Sequence, residues 1–194
     1  MTALSPPRPT WEVADLFPAQ GEWTEADYLA LDTGRLVEFV DGRIEVLPVP
    51  TKLHQLIVKR LVRAAENASD EERVIPAPYR FRVVRGRYRE PDVVYAGDLA
   101  GLGEKFATTC DIAFEVVSEG GEERDYVDKR ADYAAAGVRE YWVVDPERRS
   151  VTRFVLRGGS YEGDPDAATG GVIESVVLEG LRVDVEALFA WPSP

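Results

Sequence analysis

Two short runs of this chain are so nearly continuously apolar that they read as strands covered on both faces: residues 111–117, DIAFEVV, and residues 141–145, YWVVD. Between them lie a polar loop, residues 118–124, and a helical segment from about residue 125 to 136 that Gly137 stops. A sheet containing such strands needs helices packed over it. The expected class is therefore α/β (α+β), a central mixed sheet flanked by helices with additional β-hairpins.

The flanking segments supply those pieces. Thr24, followed by Glu25, Ala26 and Asp27, caps a short helix ending before Gly34. Residues 36–40 and 43–47 flank Asp41-Gly42, a dipeptide suited to the type I′ turn of a hairpin. Thr51 caps a helix to about residue 68, with Leu53, Ile57, Leu61 and Ala64 at helical spacing. Residues 73–95 alternate as strands do and break at Arg85-Gly86-Arg87, which predicts a second hairpin whose return strand is residues 88–95. A glycine-containing loop follows at 98–103, and residues 149–156 with 171–178 are expected to close the sheet as a third hairpin. There is no internal repeat. The organisation expected is a Pro-rich arm, residues 1–20, and a single domain, residues 21–190.

Cys110 is the only cysteine, which excludes an internal disulfide framework and a cysteine-based zinc site and fits a reducing cytoplasm. Residues 1–20 lack the basic and apolar regions of a signal peptide, and no apolar run is long enough to cross a bilayer. Cytoplasmic localisation without membrane contact is expected. The net charge of −12 argues against indiscriminate nucleic-acid binding, yet it is unevenly spread: −6 over residues 1–50, −2 over 51–150 and −4 over 151–194.

Three carboxylates interrupt apolar strands: Glu38, Asp92 and Glu115. An unpaired buried charge costs several kcal/mol, so such residues persist when a cation, an arginine or a hydrogen-bond network compensates them. One divalent ion could compensate all three; an outward-facing strand position or a local salt bridge could equally account for each one singly.

Pro91-Asp92, then Glu115-Val116-Val117 after a gap of 22 residues, resembles the PD-(D/E)XK, or restriction-endonuclease-like, superfamily, and in particular the Uma-type family of restriction endonucleases. The resemblance runs from about residue 24 to 145. It includes the Glu38 hairpin, the helix carrying His54, the EPDVV run at 90–94, the FEVVS run at 114–118, Asp125 with Lys129 and Tyr133, and the EYWVVDP run at 140–146. It implies a restriction-endonuclease-like fold and a metal-dependent endonuclease acting on DNA. The implied metal is Mg²⁺ or Mn²⁺, bound by Asp92, Glu115 and the backbone carbonyl of Val116. Glu38 would orient a metal-bound water or hold a second metal, and Lys129 would position the attacking water. The superfamily's signature lysine falls at Val117 here, and Lys129 on the following helix matches the position that replaces it. Asp125, Lys129 and Tyr133 are spaced by four and share one helix face. Related nucleases often pair to cut two strands, so a homodimer is implied by analogy.

His54, the sole histidine, removes a His-rich metal site or a serine triad from consideration. It is either a hydrogen-bonded core residue or, by resemblance, an auxiliary group beside the metal, as Tyr133 would be. Arg80, Arg82, Arg85, Arg87 and Arg89, interleaved with Tyr79, Phe81 and Tyr88, either grip nucleic-acid phosphates or pair with acids on an exposed face. The acidic loop SEGGE at 118–122 and the net charge favour an alternative: a weak or inactive nuclease-fold protein acting as a nucleic-acid-binding or protein-interaction module. Self-association through exposed hairpins is a third reading.

Overall fold

The computed structural model describes residues 17–161 and 166–190, so residues 1–16 of the expected arm lie outside the described residues. Helix α1 (Glu25–Ala30) begins in a reciprocal capping box: Asp27 N donates to Thr24 Oγ1 at 3.1 Å and Thr24 N donates to Asp27 Oδ2 at 3.0 Å. Strands β1 (Val37–Val40) and β2 (Arg43–Val46) pair antiparallel around Asp41 and Gly42. Both turn residues have positive φ, 48° and 80°, as the type I′ geometry requires. Helix α2 (Lys52–Glu66) starts at Thr51, whose hydroxyl accepts from His54 N.

Strands β3 (Val74–Pro76), β4 (Arg80–Val84), β5 (Arg87–Arg89), β6 (Val93–Tyr95), β7 (Phe106–Ala107) and β8 (Ile112–Val116) follow. A π-helical turn, Arg124–Asp128, leads into α3 (Lys129–Ala135), and β9 (Glu140–Asp145), β10 (Ser150–Val155) and β11 (Asp166–Ala168) complete the main sheet. Strands β12 (Val172–Glu174) and β13 (Arg182–Asp184) and helix α4 (Val185–Leu188) end the described chain.

The main sheet has the order β11-β10-β9-β8-β6-β3, and its β8–β9 pair is parallel, joined by the α3 crossover. A second sheet has the order β2-β1-β5-β4-β7. Every residue of β8 and β9 is buried, as their apolar runs predict. The two faces of this pair enter different cores. Phe114, Val116, Trp142 and Val144 pack with Ile57 and Leu61 of α2, while Ala113, Val117, Tyr141 and Val143 pack with Tyr133 of α3. Since strand side chains alternate, Glu115 belongs to the α3 side, where Tyr133 and Lys129 meet it, while Asp92, just before β6, is reached by His54 of α2.

Two expectations need correction. The return strand expected over 88–95 is two strands in different sheets, because the chain leaves β5 at Arg89 and enters β6 at Val93. Pro91, with no N–H to give a ladder, sits at the break. Nor do residues 149–156 and 171–178 form a hairpin: β10 pairs with β9 and β11, and β12 pairs with β13. Local turn chemistry does not specify such partners.

A Cβ on Gly42 would stand 2.6 Å from the carbonyl oxygen of Gly21, at a φ that side chains avoid. Gly42→Ala is therefore expected to lower unfolding free energy by about 1–3 kcal/mol, measured as a shifted urea midpoint at unchanged slope.

Candidate active site

Antiparallel pairing of Val93 with Phe114 brings Asp92 opposite Glu115. Two acids directly across a ladder repel, so their neighbours must compensate them. Asp92 is held by Val116 N, which donates to its Oδ2 at 2.7 Å, and by His54, whose Nε2–H donates to its Oδ1 at 2.8 Å. Tyr133 OH donates to Glu115 Oε1 at 2.5 Å, and Lys129 Nζ lies 2.8 Å from Glu115 Oε2. Asp92, Glu115, Val116, His54, Asp125 and Lys129 line one cavity of about 40 Å³.

Lys129 is 2 % exposed and also lies 3.3 Å from Glu38 Oε1 and 3.4 Å from Asp125 Oδ1. The i,i+4 pair with Asp125 is thus internal rather than solvated. Burial would drive the ammonium toward neutrality, but Glu115, Glu38 and Asp125 outweigh it and raise the Lys129 pKa. Lys129 is therefore a fixed positive charge. Glu38 stands behind it, fully buried, with Arg89 Nη1 at 2.7 Å from Oε2 and Glu90 N donating to Oε1 at 3.2 Å. Burial pushes its carboxyl up, yet Lys129 and Arg89 outweigh this and hold it below its ordinary range. Burial pushes Glu115 up to about 8, since Lys129 offsets the desolvation only in part while Asp125, Asp92 and Glu38 add repulsion.

The five arginines have different fates. Arg89 is buried between Glu38 and Asp132, Arg87 binds Asp132 and Asp41, and Arg80 lies 3.6 Å from Glu90 and over the Tyr28 ring. Arg82 and Arg85 are exposed. Three of the five thus serve internal carboxylates. The alternation pattern conceals this because β5 has neighbours on both sides, and the partner across β1 is set by the fold. Sequence reasoning also missed Glu90, which accepts from Val37 N at 3.0 Å and which burial pushes up to about 7. Its one legible sign was a carboxylate immediately preceding Pro91-Asp92.

Among the described residues no three His, Cys, Asp or Glu side chains form a ready metal cage. Mg²⁺ does not require one, since it is commonly held by one or two carboxylates with water and substrate oxygens. Asp92, Glu115 and the Val116 carbonyl are oxygen donors of that kind. The acids are under-compensated as well: burial raises the Asp125 pKa even though Lys129 Nζ lies 3.4 Å and Arg124 Nε 3.8 Å from its Oδ1.

A mixed sheet with a parallel pair crossed by α3 and acids gathered at its central strands is a restriction-endonuclease-like arrangement, and the chain has that fold. It superimposes on a protein from Anabaena variabilis ATCC 29413 described as "a putative nuclease belonging to DUF820", with a TM-score of 0.69 over 86% of this chain and 97% of that one. At 17% identity this likeness is one of fold. The chain belongs to the Uma2 family, described as "Putative restriction endonuclease", which matches residues 25–186. No curated protein matches. Among the described residues, no helix is long and apolar enough to cross a membrane.

Glu115 and Glu90 bind a proton more tightly folded than unfolded, where both have their ordinary value of 4.5. Their contribution to stability is whole below that value, falls as pH rises, and is lost above about 8. In EDTA the melting temperature should fall between pH 5.5 and 8.5, and Glu115→Gln should flatten the upper part of that fall. A slope unchanged by this substitution would contradict the assignment.

Proposed function

We propose that this protein is a metal-dependent endonuclease that hydrolyses phosphodiester bonds in DNA. The observation that carries this reading is the convergence of Asp92 and Glu115, from antiparallel neighbours, on one cavity beside the buried ammonium of Lys129. Asp92, Glu115 and the Val116 carbonyl would hold Mg²⁺ or Mn²⁺. A bound ion of this type lowers the pKa of coordinated water and neutralises charge on the phosphate.

The chain's own residues have separable roles. Lys129 stays protonated, so it orients the attacking water and places positive charge near the phosphate without acting as a base. Glu38 is a positioning residue: its oxygens are occupied by Arg89, Glu90 N and Lys129, and it fixes the ammonium from behind. Tyr133 orients Glu115, and His54 orients Asp92.

The charge of the neighbouring cleft supports a second reading. Glu119, Glu122, Asp145 and Glu147 line a volume of about 370 Å³ next to the small cavity, which favours a slow or inactive protein that binds a partner on a nuclease fold. Assays on single-stranded, duplex and nicked DNA with Mg²⁺ or Mn²⁺ separate the two. The wild type should cleave and Asp92→Ala should not. No cleavage of any form, together with no ion binding by calorimetry, would rule out the enzyme.

Lys129→Ala should abolish cleavage and also destabilise the fold by roughly 3–5 kcal/mol, because it strands buried carboxylates without a partner. Saturating Mn²⁺ should restore part of that stability but not the activity. Paired melting and cleavage assays check this.

A further inference from the structure

Two cationic side chains, Lys129 and Arg124, line the small cavity. Lys129 is saturated by three carboxylates, whereas Arg124 is only weakly engaged. Its Nη2 reaches Ser118 Oγ at 3.4 Å, its Nε lies 3.8 Å from Asp125 Oδ1, and that Nε is buried without a hydrogen-bond partner. Arg89 shows the usual case, its Nε donating to Asp132 Oδ2 at 2.8 Å. Arg87, whose Nε is also unpartnered, has both terminal nitrogens committed to Asp132 and Asp41, whereas Arg124 has no such carboxylate partner for its terminal nitrogens among the described residues.

The backbone places Arg124 there for a reason. Lys129 N bonds to Arg124 O, five residues back, in a π-helical turn. The wider turn lets two residues five apart line the same cavity, which regular α-helical spacing would turn away from each other. Gly121 leaves room for the head group: a Cβ there would stand 3.1 Å from Arg124 Nη2 and 3.0 Å from Ser118 Oγ.

We propose that Arg124, with Ser118, is the substrate-phosphate subsite of this protein: a guanidinium clamp on a non-bridging oxygen of the scissile phosphodiester, beside the Asp92 and Glu115 donors. The planar guanidinium fork matches two phosphate oxygens as an ammonium does not. The subsite lies within an acidic loop, with Glu119, Glu122 and Glu123 close in sequence, so the clamp supplies the local attraction that the loop otherwise denies an anion. This inference rests on the nuclease reading for its substrate, but its geometry is independent of the metal.

The test uses the full chain with Arg124→Gln, Arg124→Lys and Gly121→Ala, three readouts being taken for each. These are thermal melting, cleavage of a phosphodiester oligonucleotide in Mn²⁺, and the Kd for a fluorescent phosphorothioate oligonucleotide in Ca²⁺. Arg124→Gln should melt like the wild type, lose about 10²-fold in kcat and bind several-fold more weakly. Arg124→Lys should recover binding but little of kcat, and Gly121→Ala should weaken binding by displacing the guanidinium. If the wild type binds but does not cleave, a weaker Kd in Arg124→Gln supports the subsite and defeats the nuclease reading alone. Equal Kd and kcat in Arg124→Gln and wild type would overturn the subsite while leaving the nuclease reading intact, and a wild type that neither binds nor cleaves would overturn both.

Discussion

The arrangement depends on one buried ammonium. Lys129 is compensated by Glu38 from the second sheet, Glu115 from the main sheet and Asp125 from its own helix, all within 3.4 Å. A buried charge without such partners costs several kcal/mol, so Lys129 can be internal only where all three meet. The same contact therefore docks α3 against both sheets and holds a positive charge at the cavity. Arg89 repeats the device one layer further back, binding Glu38 and Asp132, so that the position of Glu38 is determined from two sides.

The chain between β5 and β6 makes this convergence possible. Within four residues, Arg89 binds Glu38 of the second sheet, Glu90 anchors the start of β1, Pro91 ends ladder pairing and Asp92 enters the cavity. A continuous strand would have kept these side chains on the alternating faces of a single sheet. The switch distributes them between a supporting network and the site itself.

Charge accounts for what the net value of −12 obscures. Glu38, Glu90, Asp92, Glu115, Asp125 and Asp132 are buried around this region, and the buried cations among them are Lys129 and Arg89. Burial raises the Glu115 pKa, and this excess of carboxylate adds to the rise. The acidity that argues against indiscriminate nucleic-acid binding is, in this region, a property of the site rather than of the surface.

The local features were legible. Thr24 and Thr51 as caps, Asp41-Gly42 as the hairpin turn, and the buried strands at 111–117 and 141–145 follow from residue chemistry and periodicity, and Glu38, Asp92 and Glu115 were identifiable as the polar residues out of place, with Lys129 singled out by the family resemblance. The fate of the arginines, the π-helical turn that admits Arg124, the break at Pro91 and the partners of β10 and β12 were not. Amino-acid order by itself determined which segments are helix or strand and which carboxylates interrupt apolar runs, because those properties reside in neighbouring residues. Only tertiary structure decided which charges neutralise one another, because strand partners are selected by burying whole faces at once and no single segment contains that information.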